Sequence, residues 1–147
     1  MSDLATIEVD AVTPRDLLLT TIEDAQDAVN TLGVAAERIG AAFRGFDVTS
    51  ANEDLGELAR SLATLVTITA DVSNAVGADL AKVTCGGSSG AEMMSSLMSH
   101  TDSLIAAQEA GDWITVADIV EFDLAPGLRR WPVLLNELRA AVPATVA

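Results

Sequence analysis

The stretch LLTTIEDAQDAVNTLGVAAERIGAAF, residues 18–43, decides the fold. Within it Leu18, Ile22, Ala25, Val29, Leu32, Ala36, Ile39 and Phe43 recur at alternating steps of four and three. That spacing holds one face of an α-helix apolar, while Glu23, Asp24, Asp27, Glu37 and Arg38 fall between. Just upstream, Thr13 offers a capping hydroxyl, and Pro14 suits the first helical position, where a missing N–H costs nothing. Gly33 and Gly40 each lower helix propensity by about 1 kcal/mol, but both lie off the stripe and admit a close neighbour. A helix over 14–45 follows.

Working outward, Ser50 and Glu53 have the spacing of a capping box. Ala51, Leu55, Leu58, Leu62, Leu65, Thr69, Val72 and Val76 then repeat the four-three steps, and the pattern slips by one residue to Leu80 and Val83. This predicts a second helix over 50–83. Thr84-Cys85-Gly86-Gly87-Ser88-Ser89-Gly90 reads as a flexible loop. A third helix is expected over 91–110, with Met94, Leu97, Met98, Leu104 and Ile105 on its apolar side. Asp112 caps a fourth over 113–142, whose stripe runs Trp113, Ala117, Val120, Leu124, Gly127, Trp131, Leu134, Leu138 and Ala141. Pro126 and Pro132 interrupt it, and a kink or break is expected near Pro126. Ahead of the first helix, Ile7 and Val9 alternate with Glu8 and Asp10, so 1–12 reads as a short extended arm. The fold class is therefore all-α: one domain, an antiparallel four-helix bundle of two αα-hairpins.

A chain of 147 residues buries roughly two-thirds of the surface its unfolded form exposes, so no metal, cofactor or disulfide staple is implied. Eight Lys plus Arg against 22 Asp plus Glu give a net charge of −14. That field repels phosphate backbones and anionic headgroups, so neither nucleic acid nor a membrane is an expected partner. Cys85 is the only cysteine, the N-terminus lacks a basic leader, and no apolar run approaches a membrane span. A cytoplasmic location is the expectation.

Catalytic patterns fare poorly. Gly86-Gly87-Ser88-Ser89-Gly90 fits G-x-S-x-G, but that motif needs a strand leading into its turn, and here a helix precedes it. His100, the single histidine, rules out the paired Glu-x-x-His motifs of di-iron bundles, and with Cys85 it makes at most two metal ligands. It reads as a core-edge residue beside Leu97 and Leu104. Asp118, Glu121 and Asp123, like Glu23, Asp24 and Asp27, read as solvated acidic faces.

Surplus apolar residues are more informative. Leu17 and Leu19 flank the first stripe, and Ile119, Leu128 and Leu135 flank the last. Phe122 falls beside that stripe, and Met93, Met94 and Met98 cluster after the glycine loop, where flexible thioethers adapt to varied partners. Leu17, Leu19, Met93, Met98, Ile119, Phe122, Leu128 and Leu135 are accordingly the candidate partner-binding residues.

In layout the chain resembles the flagellar export chaperones of the FliS type. The matching elements are Thr13-Pro14-Arg15-Asp16-Leu17-Leu18 at the first helix start, the acidic turn at Asp47, Ala110-Gly111-Asp112 before the last helix, and Trp131 near its end. The absence of tyrosine, and Pro126 and Pro132, depart from that pattern. The resemblance implies a bundle that holds a partner's amphipathic helices in an apolar groove and prevents their early assembly. The expected function is thus a non-enzymatic binding protein, adaptor or chaperone-like. A structural homo-oligomer such as a homodimer is the alternative, and an enzyme of unrecognised type the third.

Overall fold

A computed structural model describes residues 13–45 and 47–145. The extended arm expected over 1–12, and Phe46 in the first turn, lie outside them. The protein is predominantly helical, with one two-stranded ribbon.

Helix α1 (Pro14–Arg44) starts where the sequence predicts. Thr13 Oγ1 accepts the Asp16 N–H at 3.0 Å, and Asp16 answers by accepting the Thr13 N–H. Its stripe is buried from Ile22 to Phe43, with Leu18 and Leu32 half-buried at the margin. Gly40 lies against Val120 and Glu121, but a Cβ there would meet them at an ordinary 3.6 and 3.8 Å, and Gly33 faces open space, so neither glycine is required for a close neighbour.

Helix α2 (Val48–Val76) begins and ends earlier than expected. Asp47 stands at its N-cap, so Ser50 is already inside the helix and the Ser50–Glu53 box does not form. It ends at Gly77, whose φ of +71° suits glycine, rather than at Val83. The one-residue slip to Leu80 and Val83 marks the chain leaving the helix; both side chains pack back on the core.

The supposed flexible loop is an ordered antiparallel hairpin, β1 (Thr84–Cys85) and β2 (Ser88–Ser89). Gly86 and Gly87 both hold positive φ, as a tight two-residue hairpin turn requires. Ser89 then caps α3 (Gly90–Glu109) in a box with Glu92. Gly90 is buried where a Cβ would meet Leu134 and Leu80 at 2.9 and 3.0 Å, so glycine lets the hairpin sit close to the core.

The last helical run has three parts: α4 (Trp113–Asp118), a π-helix (Ile119–Leu124) and α5 (Ala125–Ala140). Right-handed helical dihedrals at Asp118, Ile119, Leu124 and Ala125 carry the run through without a break. The expected disruption near Pro126 is therefore a wide turn ahead of the proline, where the Ala125 N–H reaches back five residues to the Val120 carbonyl. Pro132 sits inside α5 with no interruption.

The buried apolar side chains form one cluster. Within it, α1 packs along α4, the π-helix and α5 on one side and along α2 on the other. Surface pairs fix the register: Glu23 with Arg139, Gln26 with Asn136, Glu37 with Arg129, and Arg44 with Glu121 and Asp118. Early α1 thus meets late α5, and the two run in opposite directions. Helix α2 packs mainly on α1 and only lightly on α3 and α5, which leaves a trough along each of its flanks.

Candidate functional site

The larger trough lies between α1 and α2. Ala25, Ala28 and Leu32 form one wall at helical steps of three and four, and Ser61, Leu65 and Ile68 the other. Its volume is about 410 Å³, and it is lined mostly by apolar atoms, with Arg60 the one charged lining residue. Small side chains explain its existence: Ala28, Thr31, Ser61 and Thr64 do not fill the space between two long helices. A second apolar trough, about 230 Å³, runs between α2 and α3 past Leu62, Val66 and Met98.

A third depression, the polar cleft, is named for its charged groups and mixes polar and apolar walls. It opens between α3 and the junction of the π-helix with α5, with the hairpin at one end, and measures about 290 Å³. Glu92, Ser96 and His100 stand four residues apart along α3 and face Asp123, Gly127 and Arg130. Arg130 Nη2 donates to the Cys85 carbonyl at 3.3 Å and to Ser88 Oγ at 3.2 Å, pinning the hairpin to α5. Burial pushes the neighbouring Cys85 thiol above its usual pKa, reinforced by Glu137 and opposed by Arg130.

The candidate partner-binding residues do not form one surface. Leu17, Met98 and Phe122 are exposed, Phe122 at 64%, and Leu19 is half-buried. Met93 and Ile119 are buried, and Leu128 and Leu135 are wholly inaccessible, so these four are core rather than docking residues. The buried face of the last run is wider than one stripe, taking in Leu128 and Leu135 beside Trp131, Leu134 and Leu138. Ile119–Val120 and Leu124–Ala125 are buried pairs five residues apart, and beyond them Leu128 and Leu135 occupy the core while Gly127 borders the cleft. Met98 lines the α2–α3 trough, whereas Met93 and Phe122 border the polar cleft. His100 is half-buried, as its spacing implied, but beside the cleft. Asp118 and Glu121 are half-exposed and held by Arg44, which also lies 5.6 Å from the Phe122 ring centre.

Sequence reasoning passed over the residues of the α1–α2 trough. The available signal was the run of small side chains beside each stripe, at Ala28 and Thr31 and again at Ser61 and Thr64.

These features define a predominantly helical protein whose described residues include two apolar troughs and a polar cleft. No described helix is long and apolar enough to cross a membrane, and the described residues contain no cluster of three or more His, Cys, Asp or Glu side chains suited to a metal. A family model described as "Domain of unknown function (DUF8042)" matches residues 20–133, and the chain belongs to that family. The matched span contains both troughs and the cleft. No curated protein and no solved structure matches the chain.

Proposed function

We propose that this is a non-enzymatic binding protein, an antiparallel four-helix bundle of two αα-hairpins that holds a partner's amphipathic helix between α1 and α2. The observation that carries the reading is the α1–α2 trough itself. It is apolar, and its α1 wall spans Ala25 to Leu32, two helical turns or roughly 10 Å. That length accommodates the i, i+3 or i+4, i+7 anchors through which an amphipathic helix docks. The net charge of −14 favours a partner whose polar face is basic. The layout shared with FliS-type export chaperones adds that the partner is held before it assembles.

The test is affinity capture of the tagged chain from its native cell, followed by mass spectrometry and by titration of the recovered partner's helical segment. Ala28 is exposed in the trough, so Ala28→Arg blocks the site with bulk and a repelling charge. It should weaken binding at least about tenfold with an unchanged melting temperature. Leu17→Asp, exposed and outside the trough, should bind like the wild type. Unimpaired binding by Ala28→Arg, or light scattering that finds only self-association, would overturn the reading; the latter outcome makes the protein a structural homo-oligomer.

A further inference from the structure

The polar cleft beside the π-helix has no part in the helix-binding reading, and its chemistry points to a different kind of ligand. Glu92 and Ser96 on α3 face Asp123 and Arg130 across a gap of about 290 Å³, near the small end of the roughly 300–1,000 Å³ typical of small-molecule sites. Charges of both signs meet here without neutralising one another. Among the described residues, Glu92, Asp123 and Arg130 take part in no ion pair, whereas Arg44, Arg129 and Arg139 each do. Arg130 spends Nη2 on the hairpin, leaving other N–H groups of its planar fork for a carboxylate. Met93, Leu97 and Phe122 add apolar wall. The floor is open because position 127 is glycine: a Cβ built there meets nothing within 4 Å.

We propose that this cleft binds a small zwitterion, a free amino acid with an apolar side chain, through Arg130 at its carboxylate and Glu92 and Asp123 at its ammonium. A purely anionic ligand would oppose both carboxylates and the field of a −14 chain, and a purely cationic one would leave Arg130 unmatched. The zwitterion satisfies both signs, and its side chain lies along the thioether and aromatic wall.

The experiment is amide chemical-shift mapping of the full chain titrated with L-leucine and L-phenylalanine, alongside isopentylamine and 4-methylpentanoate, the two halves of leucine. The expected result is saturable shifts at Ser96, His100, Asp123 and Gly127 with at least one amino acid, and at least about tenfold weaker binding of either half. Arg130→Gln should weaken amino-acid binding by a similar factor. Because Arg130 also pins the hairpin, Gly127→Leu is the second variant: it fills the cleft from a position with free space and should abolish the shifts while the melting temperature holds or rises. No saturable shift with either amino acid, equal binding of a half-ligand, or undiminished binding by Gly127→Leu would each overturn the proposal. None of these outcomes bears on capture of a helical partner at the α1–α2 trough.

Discussion

Thr69 interrupts a stripe of leucine, valine and alanine, and its hydroxyl gives the reason. Oγ1 donates to the Leu65 carbonyl at 2.7 Å and accepts the Trp131 indole N–H at 3.2 Å, with Thr69 and Trp131 both buried. A tryptophan can be fully interior only if its N–H finds an acceptor. Thr69→Val keeps the shape and removes the acceptor, so it should cost about 1–3 kcal/mol in denaturant unfolding. The stripe was legible in sequence; the partner 62 residues away was not, because periodicity reports a face and never what lies against it. Cys85, buried with a raised thiol pKa, should resist a thiol reagent at neutral pH until the chain is unfolded, with labelling followed by mass. Asp112 caps α4 by accepting the Thr115 hydroxyl and N–H, and these bonds hold its carboxyl below the usual pKa. A depressed folded value means a contribution present at neutral pH and lost as pH falls through that value. Asp112→Asn, an uncharged cap, should therefore melt closer to the wild type in acid than at pH 7.

Elements were readable wherever periodicity and capping agreed. Thr13-Pro14 and the α1 stripe located one helix correctly to within a residue at each end. At Ser50–Glu53 the capping signal misled: the helix starts at Val48, behind Asp47, and the box stays unformed. Glycines at positive φ mark two other boundaries, Gly77 after α2 and Gly111 after α3. Gly77→Val should destabilise by at least about 1 kcal/mol, since a β-branched residue is strained at φ +71°. The π-helix is the feature that sequence reading could not supply, because a strict four-three count assumes 3.6 residues in every turn. Leu128→Asp, at a position the sequence offered as a partner-binding candidate but which is wholly buried, should lower stability by at least about 4 kcal/mol, enough to unfold a marginal domain. Leu17→Asp, at 59% exposure, should leave the circular-dichroism melt within a few degrees of wild type.

Across the whole molecule, charge works against compactness. Four ion pairs link α1 to the last helical run, all at least partly exposed, and each is worth about 0–1 kcal/mol. Against them stands the self-repulsion of a −14 chain. Screening weakens both, but repulsion among many carboxylates is the larger sum. The melting temperature should therefore rise from low salt to about 0.5 M NaCl; a fall would mean the ion pairs dominate. The overall class was legible because composition and period agreed throughout the chain. The troughs were not, because small residues such as Ala28 and Ser61 beside a stripe open a space only when two such helix faces meet.

The pairing of α1 with α5 also sets a timetable for synthesis. Glu23 meets Arg139 across 116 residues, and a ribosome adds about 5–20 residues per second. The Ile22–Phe43 stripe therefore waits on the order of ten seconds for its main cover. Until α4 and the π-helix emerge, only α2 is available to shield it, so the growing polypeptide presents bare apolar surface to any chaperone that scans nascent chains.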